Sequence, residues 1–399
     1  MAILAVNAGS STLKFSLHPL QEGQVQPSVL TGSIQGLEPQ GTPEISWRAH
    51  GALNRQTLAQ DGAKDGEDAF DRALQELRSL LTRLPHLPPL QAIAHRVVHG
   101  GERYTCSVRV TPEVLHDLAK LNSLAPLHQP HNLAGIEAFQ QAFPTLQQIA
   151  CFDTAFHNTV PQEERQFALP LALTKQGVRR YGFHGLSYQY IMGVLQERTP
   201  RAEHKVLMAH LGNGASLCAA RGGQSCATTM GFSALDGLMM GTRSGSLDAG
   251  VLLYLLEQGW SHDQLQNLLY KQSGLLGVSG ISADMRKLRA DPSVQAQWAI
   301  DLFTHRVVRE SGALTACLQG LDVMAFSGGI GEHDAQLRLQ VCQALQWLGV
   351  QIDPVRNMQA CGEGVLSIHA VGSSVEIWVI PTDEGRVAAR EAAALLRLT

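Results

Sequence analysis

Two arginines stand in glycine-rich surroundings that suit anion binding better than core packing. Arg96 lies shortly before Gly100 and Gly101, and Arg243 lies within the small-residue segment 239–245. A guanidinium group offers N–H donors in a fixed fork, so it can bind a carboxylate or a phosphate through two parallel hydrogen bonds. A phosphoryl group in transfer needs its oxygen charges neutralised. These arginines therefore indicate chemistry on an anionic substrate.

The histidines raise the question of a metal site. His95 and His99 are four residues apart. Zinc hydrolases with this spacing carry a glutamate beside the first histidine, whereas Arg96 occupies that position here. A cation beside a zinc ligand is electrostatically unfavourable, so the sequence argues against zinc. The imidazoles of His128 and His184 fit hydrogen bonding to anionic oxygen atoms better.

The elements that must position these side chains begin with a strand, a small polar turn and a second strand. Residues 3–6 are apolar and predict a buried strand, and residues 12–17 alternate between apolar and polar side chains. Backbone N–H groups and hydroxyls of the turn, with the charge of Lys14, are able to surround a phosphate group. The same pattern also fits an ordinary solvent-exposed hairpin.

The strand–turn–strand pattern returns in the second half of the chain. Apolar residues 206–209 lead into a turn at 212–214 and then into apolar residues 217–220. A third glycine-rich turn, 328–331, follows the apolar strand 323–327. The repeat predicts two halves built alike. Three such turns resemble the phosphate and adenosine turns of the actin, sugar-kinase and heat-shock ATPase superfamily.

The composition describes an ordinary globular chain. Its 399 residues predict two domains, and a net charge of −4 provides no field that would favour nucleic acid or an anionic membrane. No apolar run approaches the ~18 residues of a membrane span. The seven cysteines form no C-x-x-C pair, so we expect a reducing cytoplasm and no disulfide framework. Met1 leads directly into the first strand, so no targeting segment is expected. P-loop, dinucleotide-binding and protein-kinase motifs are missing.

Two acidic residues follow predicted strands. Asp153 comes after the apolar strand 149–152, and Glu384 comes after the last strand, 375–380. Ligands of open α/β sheets gather at the carboxyl ends of strands. For Glu384 two interpretations stay open: an acid stabilised by the dipole of the terminal helix, or a Mg²⁺ ligand together with Asn7.

Helical periodicity separates these strands and predicts a layered α/β fold. Residues 111–113 carry the signals of a helix start, residues 127–132 are expected to form a loop, and residues 21–66 to form irregular strands and turns. The predicted helices are 68–84, 247–258, 261–272, 292–317, 334–347 and 385–398.

Seven segments, in order and spread over nearly the whole chain, resemble the acetate kinase family. They are 6–14, 95–101, 151–157, 180–185, 210–214, 239–245 and 328–332. The resemblance implies a homodimer whose subunits have two actin-like (ribonuclease H-like) βββαβαβα domains, 1–152 with 385–399 and 153–384, and an active site in the cleft between them. It also implies reversible phosphoryl transfer from ATP to acetate, giving acetyl phosphate and ADP.

Residue roles follow from the same resemblance. Asn7 and Glu384 match the metal positions, for Mg²⁺ with Mn²⁺ as the alternative. Arg96 matches the substrate-binding arginine. The methyl pocket corresponds to Val98, Leu127, Phe183 and Ala234. The catalytic positions are Asp153, His184, Arg243 and His128. The ATP/ADP positions are Lys14, His210, Leu211, Gly212, Asn213, Gly214, Asp284, Met285, Arg286, Gly329, Ile330, Gly331, Glu332 and His333.

The chemistry of a carboxylate kinase is consistent with these roles. A carboxylate nucleophile with a pKa of ~4–5 is ionised at neutral pH and needs no general base. Its barrier is electrostatic, because an anion must approach a charged phosphate. We therefore interpret Asp153 as a group that orients Arg96 or metal-bound water rather than as a base.

Several positions depart from the family pattern. Ala234 stands where proline is common, which predicts a wider pocket that admits propionate. Other departures are Gln129, His131, Ser246, Ala249 and His333. Two alternatives to an acetate kinase remain: a propionate or other short-chain carboxylate kinase, and an actin-like ATPase without an acyl acceptor.

Overall fold

The computed structural model describes residues 1–9, 11–38, 41–49, 51–58, 69–126 and 128–397. They form two compact units, Met1–Ala155 with Asp383–Thr399, and Phe156–Thr382. The sequence prediction divided the chain after residue 152 and before residue 385. Among the described residues, no helix is long and apolar enough to cross a membrane.

The first unit is built on one mixed sheet, in the order β6-β5-β4-β2-β1-β7-β9-β8, with β3 paired to β2. Its strands are β1 (Ala2–Ala8), β2 (Thr12–Gln21), β3 (Gln24–Val25), β4 (Leu30–Gln35), β5 (Glu44–Ala49), β6 (Ala52–Thr57), β7 (Leu90–Val97), β8 (Val108–Arg109) and β9 (Gln147–Phe152). Its helices are Ala69–Arg83, Pro112–Ala119, Gln129–Ala142 and Glu384–Leu395, with a 3-10 turn at Asn122–Leu124.

The second unit has a six-stranded sheet in the order β12-β11-β10-β13-β15-β14. Its strands are β10 (Lys205–Leu211), β11 (Ala215–Arg221), β12 (Gln224–Thr228), β13 (Val323–Ser327), β14 (Leu366–Ser367) and β15 (Glu376–Val379). Its α-helices are Gln162–Arg165, Leu171–Thr174, Gly185–Arg198, Ala249–Glu257, His262–Lys271, Gly274–Ser279, Met285–Ala290, Val294–Leu318, Gly328–His333, Ala335–Ala344 and Pro354–Gln359. Further 3-10 turns are Ala155–Thr159, Pro200–Glu203 and Gln346–Leu348.

The two sheets share one internal arrangement. In the first unit β1 is antiparallel to β2 and parallel to β7, which is parallel to β9. In the second unit β10 is antiparallel to β11 and parallel to β13, which is parallel to β15. The prediction of two halves built alike is therefore confirmed. The glycine turns after β1 and β10 occupy equivalent places in the two sheets.

The central strands β1 and β10 are each buried on both faces, as expected of strands covered by helices. In the first unit the terminal helix packs its buried alanines, among them Ala388 and Ala392, against the sheet. On the helix Gln129–Ala142, a Cβ added to Gly135 would lie only 2.6 Å from Ala8 Cβ. That close approach requires glycine and brings the helix to the end of β1.

Three predictions of local structure were wrong. Gln129 to Asn132 belong to a helix rather than a loop, with Pro130 in its first turn. Much of the region 21–66 is a regular antiparallel meander, β4 to β6, whose last strand is exposed on both faces and so lacks an alternating pattern. Gly328 begins a short helix instead of a turn. Residues 10, 39–40, 50, 59–66, 68, 127 and 398–399 of the predicted segments lie outside the described residues.

Candidate functional site

The first unit contains a cavity of about 140 Å³ that joins four of the predicted site residues. Asn7 in β1 and Lys14 in β2 are register partners across the antiparallel pair. Arg96 comes from β7, and Glu384 is the first residue of the terminal helix. The cavity is lined by Ala5, Val6, Asn7, Lys14, Phe15, Ser16, Arg96, Glu384, Gly385 and Ala388. The topology therefore gathers residues that are distant in sequence at one edge of the sheet.

Arg96 and Asp153 form a two-point ion pair within this unit. Arg96 Nε donates to Asp153 Oδ1 at 3.0 Å, and Nη2 donates to Oδ2 at 2.5 Å. Asp153 directly follows β9, which runs parallel to β7, and its side chain is only 1% exposed. Both carboxylate oxygens are thus engaged by one guanidinium group. Nη1 takes part in neither of these two hydrogen bonds, and this leaves one face of the fork for another anion.

A second carboxylate stands beside the same guanidinium. Glu384 Oε2 lies 3.5 Å from Arg96 Nε. Desolvation would lower the pKa of Arg96, but the charges of Asp153 and Glu384 outweigh it and keep that pKa above its ordinary value. Arg96 is therefore a permanent cation in a fixed orientation.

Asn7 and Glu384, the predicted metal positions, line this same cavity. An amide oxygen and a carboxylate are hard oxygen donors, which suit Mg²⁺ or Mn²⁺. No group of three or more His, Cys, Asp or Glu placed to hold a metal occurs in the part of the chain that the structure describes. Glu384 also stands in the first turn of its helix, so both interpretations of this residue agree with the structure.

Two amide side chains that sequence reasoning did not place in the site hold its backbone. Asn132 Nδ2 donates to Ala8 O at 2.6 Å, and its Oδ1 accepts from Val98 N at 3.0 Å. Gln129 Oε1 accepts from His99 N at 3.2 Å, and its Nε2 donates to His99 O at 3.0 Å. The available signal was a pair of amides on a helix face that otherwise carries Leu133, Ile136 and Phe139. His128, half-buried, precedes this helix.

The second unit contains a much larger cavity, of about 1240 Å³. Its wall takes residues from all three segments predicted to bind nucleotide. The lining residues are Gly212, Asn213, Ala283, Asp284, Met285, Arg286, Arg289, Gly329, Ile330, His333, Asp334, Ala335, Gln336, Leu339, Pro354, Asn357 and Met358. The volume suits a nucleotide-sized ligand. Arg286 Nη2 lies 2.7 Å from Asp284 Oδ2, so this wall carries an ion pair. The hydrogen bond from Arg286 holds the pKa of Asp284 below its usual range.

Next to the turn after β10, two imidazole rings stack. The rings of His184 and His210 have centroids 4.3 Å apart. His184 has φ 60° and ψ 24°, a left-handed conformation that is uncommon for a residue with a side chain and that often marks functional positions. A Cβ added to Gly214 would lie 3.2 Å from His184 Nε2 and 3.8 Å from Arg243 Nη2. The glycine turn, His184 and Arg243 therefore meet at one place.

The loop that carries Arg243 is fixed by its own backbone. Arg243 Nη1 donates to Ala234 O at 2.7 Å, and Gly241 N donates to Asn213 O at 3.0 Å. A Cβ on Gly241 would lie 2.0 Å from Asn213 Oδ1, which explains why glycine stands there. The small residues of this loop thus allow it to approach the turn after β10.

His157 ends the segment 151–157, and the sequence predicts no role for it. Its Nε2 donates to Phe183 O at 2.9 Å, so its Nδ1 accepts from Ser225 Oγ at 2.9 Å. Burial lowers the pKa of His157 to about 4, so the ring is neutral. It supports the segment that leads into His184.

Some predicted site residues are not brought to either cavity wall. Leu211 is fully buried in β10. The Glu332 carboxylate accepts hydrogen bonds from Gly328 N at 2.8 Å and Thr382 N at 3.2 Å, and burial raises its pKa. The residues predicted for the methyl pocket divide between the units: Val98 is buried in the first, Phe183 and Ala234 are buried in the second, and Leu127 lies outside the described residues.

Comparison with known proteins gives concordant matches over the full length. The family model described as the acetokinase family matches residues 2–390. An acetate kinase from Rhodopseudomonas palustris (strain TIE-1) is 47% identical over 398 residues, covering 97% of this chain and 96% of the relative. The crystal structure of a propionate kinase from Francisella tularensis matches with a TM-score of 0.88 and 36% identity, covering 98% of both chains. The crystal structure of Porphyromonas gingivalis acetate kinase matches with a TM-score of 0.86 and 32% identity, covering 99% of both.

Proposed function

The chain belongs to the acetokinase family, and from that premise we propose that it transfers the γ-phosphoryl group of ATP reversibly to acetate, giving acetyl phosphate and ADP. It is a kinase whose acceptor is a carboxyl group. The observation that carries the proposal is the cavity of about 1240 Å³, because its wall combines all three predicted nucleotide segments. The adenosine portion would contact 284–286 and 329–333, and the phosphates would contact the turn 212–214.

The acceptor carboxylate is assigned to Arg96. Acetate is already ionised at neutral pH, so the enzyme must bring one anion to another rather than remove a proton. Arg96 presents Nη1 to the substrate while Asp153 holds its other edge. A base whose two oxygens are both occupied by a guanidinium group is poorly placed to accept a proton. Asp153 is therefore a positioning residue.

The transferring phosphoryl group is assigned to Arg243, which supplies positive charge, and to His184, which donates a hydrogen bond; the two meet at Gly214, and His128 and Lys14 are further donors. A divalent cation, when bound, neutralises phosphate oxygens in the same way, and Asn7 and Glu384 would hold it. We propose Mg²⁺ as that cation because both protein ligands are oxygens.

A propionate kinase is the second candidate function. The Ala234 carbonyl accepts a hydrogen bond from Arg243 Nη1 at 2.7 Å, so a change in the Ala234 side chain lies beside a catalytic cation. One methylene changes the free energy of transition-state binding by only about 1–3 kcal/mol, so a pocket without the proline ring would discriminate weakly between acetate and propionate. We expect modest discrimination, with kcat/KM for acetate still above that for propionate and butyrate. A higher kcat/KM for propionate would reverse this order of preference.

Hydroxylamine trapping tests the proposed reaction directly. Enzyme, ATP, Mg²⁺ and acetate should yield acetyl hydroxamate, and omission of acetate should abolish it. An Arg96→Ala variant should lose most of the signal, because the acceptor loses its cation. Release of ADP without acetate-dependent hydroxamate would defeat the proposal and favour the actin-like ATPase alternative.

We further propose that the protein is a homodimer that pairs through the helix Ala249–Glu257. None of the residues of this helix is buried, although six of them are Val, Leu or Tyr, and Leu253 is 64% exposed. Leu247 and Trp260 extend the exposed apolar surface at its two ends. Such a patch is uncommon on a monomer. A second copy of this chain, with the same apolar face, is the occupant we assign.

All seven cysteines are free, which supports the expected reducing, cytoplasmic location.

A further inference from the structure

Each of the two stacked imidazoles shares a hydrogen bond with a serine hydroxyl through its Nδ1 atom. His184 Nδ1 lies 2.8 Å from Ser216 Oγ, and His210 Nδ1 lies 2.8 Å from Ser187 Oγ. Ser216 is the register partner of His210 in the β10–β11 pair, which places it beside both rings. The opposite edges of the rings, at Nε2, face the glycine turn 212–214. The serines therefore contact the one ring nitrogen that does not face the turn.

Ser216 has a second partner behind it. Its Oγ lies 2.5 Å from the phenol oxygen of Tyr188, and both side chains are fully buried. Tyr188 is four residues after His184, which is the N-cap residue of the helix Gly185–Arg198, and lies in the first turn of that helix. The three groups form one chain from Tyr188 through Ser216 to His184.

The proton positions in this chain follow from donor strength. A phenol is a stronger donor than an aliphatic hydroxyl, so Tyr188 O–H donates to Ser216 Oγ. Ser216 then has its own hydrogen to donate, and it donates to His184 Nδ1. An imidazole that accepts at Nδ1 carries its hydrogen at Nε2.

Building on the proposed phosphoryl transfer, we propose that Tyr188 and Ser216 are positioning residues that hold His184 as the neutral Nε2–H tautomer, with that N–H directed at the turn 212–214. His184 then acts as an oriented hydrogen-bond donor to phosphoryl oxygen rather than as a cation. The surrounding charges agree with this state. An imidazolium at His184 would face the His210 ring at 4.3 Å and the guanidinium of Arg243 across Gly214.

The tautomer is measured in the substrate-free protein, so the result does not depend on which reaction the enzyme catalyses. Nitrogen-15 spectra of histidine-labelled protein should show a neutral Nε2–H ring, in addition to that of His157, that disappears in His184→Gln. In Ser216→Ala that ring should lose its single tautomer, and Ser216→Thr, which keeps the hydroxyl, should restore it. A His184 ring with its hydrogen at Nδ1, or doubly protonated at pH 7.5, would overturn the proposal.

Kinetics then test whether the two residues act only through His184. Ser216→Ala should lower kcat at least tenfold while KM for ATP and acetate changes less than threefold, and Ser216→Thr should recover most of it. Adding Ser216→Ala to His184→Ala, or Tyr188→Phe to Ser216→Ala, should cost nothing further, because the groups act in series. Losses that multiply independently would contradict the chain of contacts.

A matched serine control is available in the first unit. Ser33 Oγ shares a hydrogen bond of 3.2 Å with Ser46 Oγ between neighbouring strands, outside both cavities. Ser33→Ala, like Ser216→Ala, removes a hydrogen-bonded serine hydroxyl from a strand, and it should leave kcat and the histidine spectrum unchanged. An equal loss of kcat in Ser33→Ala would mean that the effect of Ser216→Ala reports general destabilisation.

Discussion

Replacing Asp153 by asparagine separates its positioning role from a role as general base. The substitution keeps the size of the side chain and one acceptor for Arg96 Nε, but it sets an NH₂ group against Nη2, where the present contact is 2.5 Å. Loss of one hydrogen bond between charged groups costs about 1.5–3 kcal/mol, which corresponds to roughly a 10- to 160-fold fall in kcat/KM for acetate. Arg96 is 19% exposed and keeps Glu384 at 3.5 Å, so we expect the lower part of that range.

The assay is initial-rate hydroxamate formation over a series of acetate concentrations at saturating ATP and Mg²⁺. Asp117→Asn is the matched control, because Asp117 is also an ion-paired aspartate, but its partners Arg103 and Lys120 lie on the surface of the same unit. That control should retain kcat/KM within about twofold, as expected for a surface ion pair. Circular dichroism of both variants checks that each is folded.

Two outcomes would refute the positioning role of Asp153. The removal of a general base costs typically 10²–10⁴ in rate and persists when the substrate is saturating. A loss of that size in kcat, with an unchanged KM for acetate, would make Asp153 a base. Full activity in Asp153→Asn would show that the orientation of Arg96 does not limit the reaction.

Three further changes have defined outcomes. Gly214→Ala places a methyl group against the imidazole and guanidinium beside the turn, so kcat should fall at least tenfold, whereas Gly312→Ala, with nothing within 4 Å, should be active and slightly more stable. Burial lowers the pKa of His95 from 6.5 to about 4, so the unfolded chain binds more protons between those values. The free energy of unfolding should therefore fall by up to about 3 kcal/mol as the pH drops through that window, and His95→Gln should flatten this slope in melting curves. Leu253→Glu should convert the dimer to a monomer in sedimentation, whereas Leu53→Glu should not, although Leu53 is 55% exposed in the first unit. A dimeric Leu253→Glu would place the interface elsewhere.

The strands and their polar ends were predictable because their signals are local. The apolar run 323–327 is β13 to the residue, and Thr111 caps its helix by accepting from Val114 N, as the Thr-Pro-Glu order predicts. Asp153 follows its strand as expected. These features depend on neighbouring residues, which any single sequence displays.

Other features depend on partners that are remote in sequence. Gln129 and Asn132 read as loop residues because nothing local marks their partners, His99 and the backbone at Ala8. Gly328 reads as a turn, but it begins a helix in which the Glu332 carboxylate accepts from Gly328 N and also from the distant Thr382 N. In both places a side chain satisfies a distant backbone group, and the pattern of residue types does not encode that pairing.

By itself, the sequence determined the family, the α/β class and the repeated strand–turn–strand units, because each of these is recognisable from the residue types within short contiguous segments. Only the tertiary structure decided that Arg96 is locked by Asp153, that three separated segments enclose one cavity, and that His184 rests on Ser216 and Tyr188. Orientation, burial and protonation state arise from contacts between strands and helices far apart in the chain. Those contacts exist only once the two sheets have formed.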